Sequence, residues 1–424
     1  MSSAVPEGWR ARLFGDLAKV INGYAFKSSD FVEKSETSVP IIRMSSLKAG
    51  TIDLSDAVYV AKNNVKGLEK FLLNSGDFVF GMSGSISNFA IIKEKDGICY
   101  QNQRVGRLSP INASSGFLSQ LFLSESVSRQ IEGLAAGGAQ LNISSSQIEN
   151  LNILSPPLPE QKKIASILTS VDEVIENTQN QIDKLQDLKK ATMNELLTKG
   201  IGHTEFKDSK LGRIPKSWEI TKISDVRDTA DRYSFTGGPF GSNLKSEDYS
   251  EKGIRIIQLQ NIGDGQFLDK YKIYTSKEKA DELFSCNIYP GDIILSKMGD
   301  PVARATLIPN FDTRYLMASD GIRLSLNEEK YSCKFILESI NHHTFRYQAE
   351  LCSTGSTRKR IGLTDLRTLV IACPILAEQK EIASILTSMD KNIEEKQHKL
   401  TQTQSLKKSL MQDLLTGKVR VTVN

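Results

Sequence analysis

The sequence predicts an α+β fold with two globular domains, each followed by a long helix, because the chain contains the same unit twice. The seven letters IASILTS stand at residues 164–170 and return at 382–388. The agreement extends over 156–198 and 374–416, where more than half of the positions are identical without a gap. A longer block rich in short β-like runs precedes each segment, which indicates an internal duplication.

Length and composition are those of a globular protein with two or three domains. The 424 residues are 39% hydrophobic and 25% charged, with a formal net charge of +4. These values exclude a disordered chain, and the small net charge means that any nucleic-acid role must rest on local charge. No apolar N-terminal region and no long apolar run is present, which argues against secretion and membrane insertion. Five cysteines without a CxxC pair and only four histidines favour a reducing cytoplasm and no bound metal.

The repeated segments are predicted to be helices that pair with each other. Apolar residues recur at steps of three and four, which is the seam of a coiled coil. The predicted pairing residues are Leu168, Val171, Ile175, Ile182 and Leu185 in the first segment and Leu386, Met389, Ile393, Leu400 and Leu410 in the second. Lys189 and Lys407 interrupt the seam, so a shift of register is expected there. The alternative is two unrelated surface helices, each lying on its own domain.

Proline and glycine predict where these helices begin and end. Pro159 suits a first helical turn, Pro374 bars helix before the second segment, and Gly200 and Gly417 are the predicted stops. The resulting boundaries are a first domain over 1–155, a helix over 156–200, a linker over 201–212, a second domain over 213–373, a second helix over 374–417 and a tail over 418–424.

The two blocks share a skeleton although their letters differ. Each opens with Pro-x-x-Trp, later contains KSSDF or KSEDY, and carries an Arg-Leu-Ser at 107–109 or 323–325. If the two helices pair antiparallel, the domains are expected at opposite ends, related by a pseudo-twofold axis. B-DNA has its own twofold symmetry, so two such domains would address two half-sites a set distance apart.

Several short motifs approach catalytic signatures but lack essential residues. SPPL at 155–158 has leucine where an amino-methyltransferase tetrapeptide has its aromatic residue, and no glycine-rich cofactor loop follows a strand. LLTGKV at 414–419 lacks the first Gly and the Ser/Thr of a phosphate-binding loop. His342 and His343 are interpreted as surface or hydrogen-bonded residues, since no Ser/His/Asp set is visible. No catalytic residue is predicted in this chain.

Three stretches resemble the specificity (S) subunits of type I restriction–modification systems. They are the paired helix starts PLPEQKKIASIL and PILAEQKEIASIL, the connector FKDSKLGRIPKSWE, and INGYAFKSSDF in the first block. The resemblance covers essentially the whole chain in order. One departure is LAEQ at the second helix start, where the first has LPEQ.

The resemblance implies two target recognition domains, each of which reads one half of a split, asymmetric sequence of double-stranded DNA. It also implies an antiparallel coiled coil that sets the spacer and docks two methyltransferase (M) subunits, with two restriction (R) subunits added in the nuclease form. S-adenosylmethionine would then belong to the M subunits, and ATP and Mg²⁺ to the R subunits. This chain would bind no cofactor, while the complex would methylate flipped adenines at N6 and cleave DNA with ATP.

Polar and cationic side chains beside predicted turns are the candidate DNA contacts, because cations bind phosphates and amide or guanidinium groups match base edges. In the first block they are Tyr24, Lys27, Ser85, Asn88, Asn102, Gln103, Arg104 and Arg107. In the second block they are Ser242, Asn243, Lys245, Lys297, Arg304, Arg358, Lys359 and Arg360. The three consecutive cations would contribute about −2.7 to the salt slope of binding, at about −0.9 per phosphate. The alternative for both sets is solvated loops without a role in recognition.

Two other functions fit parts of the pattern. A stand-alone adenine methyltransferase or nuclease would need the cofactor loop and complete tetrapeptide that are missing here. A coiled-coil scaffold with two protein-binding heads would show no steep salt dependence of DNA binding, which distinguishes it from a specificity subunit.

Overall fold

The computed structural model describes residues 5–83, 88–135, 142–355 and 358–423. They divide into two compact units: unit 1 is Met1–Asn180 with Gln397–Asn424, and unit 2 is Gln181–Lys396. The α-helices of the described residues are α1 (Ser115–Phe122), α2 (Glu125–Ala135), α3 (Ser145–Glu149), α4 (Leu158–Lys199), α5 (Lys277–Glu282), α6 (Cys333–Asn341), α7 (His343–Leu351), α8 (Leu363–Thr368) and α9 (Leu376–Leu414).

Unit 1 contains two main sheets and two short strand pairs. Its strands are β1 (Arg10–Leu13), β2 (Ala18–Asn22), β3 (Phe31–Val32), β4 (Ser38–Ile42), β5 (Leu47–Lys48), β6 (Thr51–Ile52), β7 (Val58–Ala61), β8 (Leu72–Leu73), β9 (Phe78–Gly81), β10 (Phe89–Ile91), β11 (Cys99–Gln101), β12 (Val105–Pro110) and β13 (Asn152–Ser155). One sheet has the order β10-β9-β12-β2 and the other β3-β7-β4-β11-β8. The short pairs are β1 with β13 and β5 with β6. Only β11 and β4 pair in parallel among these described strands.

Unit 2 repeats this plan after an additional hairpin. Its strands are β14 (Phe206–Ser209), β15 (Gly212–Pro215), β16 (Glu219–Lys222), β17 (Phe235–Gly237), β18 (Tyr249–Ser250), β19 (Ile254–Ile257), β20 (Ile273–Thr275), β21 (Asn287–Ile288), β22 (Ile293–Ser296), β23 (Ala305–Leu307), β24 (Tyr315–Met317), β25 (Gly321–Leu324) and β26 (Val370–Cys373). The orders β17-β25-β22-β23 and β18-β20-β19-β24-β21 match the two sheets of unit 1 strand for strand, and β16 pairs with β26. The predicted α+β class is confirmed, and the hairpin β14–β15 occupies much of the region predicted to be a linker.

Apolar residues of the long helices complete the core of each unit. In unit 1, Leu168 of α4 and Leu414 of α9 share one buried cluster with the sheet residue Phe80. In unit 2, Leu197 of α4 and Leu386 of α9 share a buried cluster with the sheet residues of β22 and β25. Burying these side chains stabilises each helix end by roughly 1.5–3 kcal/mol per residue, which a free surface helix would lack.

The long helices run antiparallel in both units. In unit 1 an early residue of α4, Asp172, forms an ion pair of 2.6 Å with Lys407 near the end of α9. In unit 2 a late residue of α4, Lys189, lies 2.5 Å from Asp390 in the first half of α9. The alternative of two helices without mutual contact is therefore wrong within each unit.

The predicted seam residues face inward, and the predicted shift of register does not occur. Leu168, Ile182, Leu386 and Ile393 are buried, and Val171, Ile175, Leu185, Met389, Leu400 and Leu410 are half-buried. Lys189 continues the regular step from Leu185, and it is only 24% exposed because Asp390 neutralises it. Leu188, one position away, is 55% exposed. The interruption of the apolar pattern thus marks a charge pair and not a change of helical phase.

The repeated Glu-Gln at the helix starts holds each helix to its own unit. The indole N–H of Trp9 donates to Glu160 at 3.2 Å, and that of Trp218 donates to Glu378 at 3.3 Å. The amide of Gln161 donates to the Pro156 carbonyl at 3.0 Å and accepts from the Ser114 N–H at 3.0 Å. These buried hydrogen bonds explain why the Glu-Gln pair and the Pro-x-x-Trp motif recur together.

Helix ends follow the proline and glycine signals. Pro159 lies in the first turn of α4, and α9 begins two residues after Pro374. Gly200 and Gly417 follow the two helices with φ of +67° and +70°. Left-handed backbone of this kind is the usual glycine stop. The prolines of SPPL therefore serve as helix boundaries.

Candidate nucleic-acid interface

Each unit contains an open groove at the same place in its fold, where one central strand of the four-stranded sheet ends. In unit 1 the chain leaves β9 at Met82, whose carbonyl accepts the N–H of Ile143 at 2.9 Å. In unit 2 it leaves β22 at Lys297, whose carbonyl accepts the N–H of Ile361 at 3.0 Å. Antiparallel bridges Ser83–Asn142 and Met298–Arg360 follow these bonds. The two grooves therefore share one backbone frame.

Next to residues that line each groove, backbone packs closely against a glycine. A Cβ added at Gly23 would lie 2.1 Å from the carbonyl oxygen of Asn102, and one at Gly238 would lie 1.9 Å from that of Ala318. Real Cβ atoms do not approach a carbonyl oxygen so closely. Only glycine therefore allows the loop after β2 to lie against the β11–β12 connection, and the loop after β17 to lie against the β24–β25 connection.

Groove 1 is a polar cavity of about 640 Å³ in unit 1. Its lining consists of Asn22, Met82, Ser83, Gln103, Arg104, Asn142, Ile143, Ser144, Ser145 and Ser146. The Ser145 hydroxyl donates to the Asn22 side-chain oxygen at 2.7 Å. Three amides, several hydroxyls and one guanidinium group give this groove both donors and acceptors at neutral or weakly positive charge.

Groove 2 is a cavity of about 590 Å³ in unit 2 with a different lining. Its lining consists of Thr236, Gly237, Gly238, Pro239, Phe240, Gly241, Asn243, Glu282, Leu283, Ser285, Cys286, Lys297, Ser319, Arg360 and Leu363. Burial and the charge of Arg360 lower the pKa of Lys297, while Asp320 acts in the opposite direction. Arg360 itself lies 3.2 Å from Asp320. Two close cations make this groove suited to an anionic or acceptor-rich ligand.

Comparison of the grooves shows the same frame with different side chains. The bridge position held by Asn142 in groove 1 is held by Arg360 in groove 2. Arg104, whose carbonyl accepts the N–H of Met82, corresponds to Asp320, whose carbonyl accepts the N–H of Lys297. The side chains that face the groove differ in charge and size although the backbone hydrogen bonds are the same. This is the arrangement expected of two sites with different ligands of one chemical class.

The structure brings part of the first predicted set into groove 1. Gln103 and Arg104 line it, and the neighbouring Asn102 forms a bridge with Tyr24 outside the lining. Tyr24 is 39% exposed, with its ring 4.9 Å from that of Phe26. Lys27 is exposed outside the groove, and Asn88 lines a separate depression with Lys48. Ser85 lies outside the described residues.

The second predicted set is divided in a similar way. Asn243, Lys297 and Arg360 line groove 2. Of the remainder, Lys245 forms an exposed ion pair with Glu247 at 3.3 Å, and Lys359 pairs with Glu350. Ser242 donates to the neighbouring Asn243 side chain at 3.3 Å. Arg358 is exposed and has no anionic partner among the described residues.

Two predicted DNA contacts, Arg107 and Arg304, form hydrogen bonds within the fold and line neither groove. Arg107 lies 3.0 Å from Asp77 and donates to the Leu72 carbonyl at 2.7 Å. Arg304 donates to the carbonyls of Ile262 at 2.6 Å and Leu259 at 3.1 Å. Both guanidinium groups satisfy backbone carbonyl acceptors and so help to hold the fold together.

Sequence reasoning missed Asn22, Asn142, Ser145 and Phe240 as groove residues. Asn22 and Asn142 lie far apart in the chain and meet only through the sheet. One signal was available for Asn142: aligning the two blocks at their repeated frame places it opposite Arg360, which had been selected.

Neither a metal site nor a membrane-spanning helix is present in the part of the chain that the structure describes. No group of three or more His, Cys, Asp or Glu residues there could hold a metal ion. No described helix is both long and apolar enough to cross a membrane. All five cysteines are free thiols.

Comparison with known proteins assigns the family. The model of the type I restriction modification DNA specificity domain matches residues 6–187 and 215–403. The MjaX and MjaVIII type I restriction enzyme specificity subunits of Methanocaldococcus jannaschii are 29% and 27% identical, each over 98% of this chain and over 95% and 94% of their own lengths. The EcoKI specificity subunit of Escherichia coli is 23% identical over 89% of this chain and 81% of its own.

Solved structures agree in fold. The type I restriction–modification S subunit from M. genitalium has a TM-score of 0.59 at 15% identity, covering 100% of this chain and 98% of that chain. A chain from a study of type I system assembly and conformational transition has a TM-score of 0.57 at 17% identity, covering 98% and 100%. The duplicated α+β units thus define a specificity-subunit fold. The chain belongs to the type I restriction–modification DNA specificity family, and its role is the non-catalytic one of a specificity subunit.

Proposed function

We propose that grooves 1 and 2 read the two halves of a bipartite, asymmetric DNA sequence. The observation that carries this proposal is the shared frame with different lining, above all Asn142 in one groove at the position of Arg360 in the other. A protein that binds two unlike half-sites needs one DNA-docking geometry and two sets of reading side chains.

The groove chemistry supports different bases in the two halves. Asn and Gln side chains form paired hydrogen bonds with adenine, whereas Arg and Lys do so with guanine. Groove 1 offers Asn22, Gln103 and Asn142, while groove 2 offers Lys297 and Arg360. We therefore expect adenine to be read in the half-site of unit 1 and guanine in that of unit 2.

Catalysis is assigned to partner subunits. The proposed complex contains two methyltransferase (M) subunits, which hold S-adenosylmethionine and methylate adenine at N6, and two restriction (R) subunits, which use ATP and Mg²⁺ in the nuclease form. The specificity-subunit family of the chain supports these partners in general. Helices α4 and α9 are proposed to dock the M subunits and to set the number of base pairs between half-sites.

The experiment is methylation-sensitive long-read sequencing of host DNA, with the wild-type chain and with single groove variants. Asn142→Ala should relax specificity in one half-site, and Arg360→Gln should relax it in the other. Loss of one paired base contact costs about 1–3 kcal/mol of discrimination, which changes the methylated motif at one position.

Exposed residues outside the grooves supply the controls. Lys95→Gln in unit 1 and Lys270→Gln in unit 2 remove an exposed cation that lines neither groove, and both should leave the motif unchanged. The proposal fails if the two groove variants relax the same half-site, or if neither changes the motif while methylation continues.

A further inference from the structure

Phe240 is the most exposed large apolar side chain among the described residues of groove 2. It is 83% exposed, whereas Phe235, Phe335 and Phe345 of the same unit are buried. It lies in the loop that follows β17, in the stretch Gly237-Gly238-Pro239-Phe240-Gly241. No aromatic ring contact holds it in the described structure, in contrast to Tyr24, which lies near two rings in unit 1. The ring is therefore presented to solvent inside the groove.

The loop that carries Phe240 is anchored at both ends. The N–H of Gly238 donates to the Gly321 carbonyl at 2.8 Å, and the N–H of Asn243 donates to the Phe240 carbonyl at 2.8 Å. Leu244, which is only 8% exposed, fixes the far end in a buried cluster. Between the packed glycine and the following KS-x-D motif, unit 2 has six residues where unit 1 has three. The extra residues form the part of the loop that presents the ring.

The cations near Phe240 indicate which chemical class of ligand groove 2 would bind. The ring lines the same groove as Lys297 and Arg360. An apolar group in the same groove as two cations fits a polyanion that also exposes apolar groups. The DNA major groove has this combination, since thymine carries a C5-methyl group between the phosphate backbones, and phenylalanine is one of the side chains that contacts it.

We propose that Phe240 reads a thymine of the unit 2 half-site by contact with its C5-methyl group. This inference rests on the proposed function, because it requires groove 2 to bind DNA. Phe240 then adds specificity without charge, while Lys297 and Arg360 bind acceptor atoms or phosphates.

Replacement of thymine by deoxyuridine tests the contact, because it removes the methyl group and leaves base pairing intact. Binding of the complex with its M subunits is measured on duplexes of the methylated motif, with each thymine of the half-site replaced in turn. For the wild type, one position should lose about fourfold in affinity, the equivalent of about 0.8 kcal/mol for a methyl group. For Phe240→Ala that position should show no loss, and the salt slope of binding should equal that of the wild type.

Matched variants keep the result interpretable. Phe311→Ala removes a 63% exposed phenylalanine of unit 2 that does not line groove 2, and it should keep the wild-type deoxyuridine response. Phe240→Leu should keep part of the loss of affinity on deoxyuridine replacement.

The inference is overturned if no thymine position responds, if Phe240→Ala responds like the wild type, or if Phe240→Ala changes only binding of the M subunits. A duplex with 2-aminopurine next to the thymine reports on stacking of the bases. Increased fluorescence of this probe without any deoxyuridine response would indicate that Phe240 inserts between bases, which would also overturn the inference. Failure of the wild type to bind DNA would instead contradict the proposed function.

Discussion

The carboxylate of Asp172 lies 2.6 Å from the Lys407 ammonium group, and the residues that repeat them, Asp390 and Lys189, form the same ion pair with the roles of α4 and α9 exchanged. The duplication is thus visible as two copies of one interaction, one in each unit. In unit 2 the pair has additional partners, because Lys334 lies 2.7 Å from Asp390 and 2.5 Å from Glu338. Unit 1 has the neutral Gln120 at the place of Glu338, and its amide donates to Asp172 at 2.7 Å. Each cluster therefore contains as many cations as anions: one of each in unit 1 and two of each in unit 2.

Exchanging the charges of Asp172 and Lys407 tests the antiparallel pairing in unit 1. Asp172→Lys alone places two cations together and should lower the free energy of unfolding by about 1 kcal/mol or more. Asp172→Lys with Lys407→Asp should recover most of the loss. Chemical denaturation is followed by Trp9 fluorescence in a Trp218→Phe background. Glu125→Gln, which removes an exposed pair with Arg129, is the control and should have little effect. No recovery in the double variant would contradict the pairing.

Arg358→Gln should reduce the magnitude of the salt slope of DNA binding by about 0.9, which is the value for one phosphate contact. The prediction follows because Arg358 is exposed without an anionic partner in the described structure, whereas Lys359 and Arg360 have ion pairs with Glu350 and Asp320. Affinity should fall equally for all sequences. Filter binding of the complex over a salt series measures the slope, with Lys270→Gln as the control. A changed sequence preference at constant slope would show that Arg358 contacts a base.

His342 should make unit 2 less stable as pH falls. Burial, and to a smaller extent the neighbouring His343, lowers the pKa of His342 from 6.5 to about 4. Its ring nitrogens lie 2.9 Å from the Thr344 hydroxyl and 3.2 Å from the Asn194 side-chain oxygen. Because the folded pKa is below the unfolded one, protonation favours the unfolded chain. Stability is unaffected above pH 6.5 and falls between pH 6.5 and 4, by about 3 kcal/mol in total.

The check for His342 uses denaturation at several pH values, followed by Trp218 fluorescence in a Trp9→Phe background. His342→Gln should remove most of the additional loss between pH 6.5 and 4, while His343→Gln, which changes an exposed residue, should remove little of it. Equal pH dependence of the wild type and His342→Gln would rule out this role.

Adding one heptad to both long helices should lengthen the spacer of the DNA target. Seven residues inserted after Gln179 and after its repeat equivalent Gln397 keep both seams in phase. They add about 10 Å of helix, or roughly three base pairs of DNA. Sequencing of the methylated motif gives the new spacer. A single insertion in α4 should abolish methylation, because it displaces the pairing with α9. An unchanged spacer, or an altered half-site, would refute the role of the helices as a spacer.

The sequence was informative where the repeat carried the signal and misleading where a partner lay far along the chain. The helix ends at Gly200 and Gly417 and the seam could be predicted, because glycine stops and heptad spacing are local. The shift of register expected at Lys189 was wrong because Asp390 lies in the other copy of the repeat. Sequence also does not reveal the acceptors of Arg107, which are Asp77 and a backbone carbonyl. Groove 1 could not be assembled from sequence, since its lining comes from four separate stretches of the chain.

Replacement of residues 1–155 by the matching block of another specificity subunit tests the central claim most directly. The methylated motif of the host is read by long-read sequencing before and after the exchange. Separate reading by two grooves predicts that one half-site changes to that of the donor, while the other half-site and the spacer length stay as they were. A motif that is unchanged, or that changes in both halves, would contradict the account.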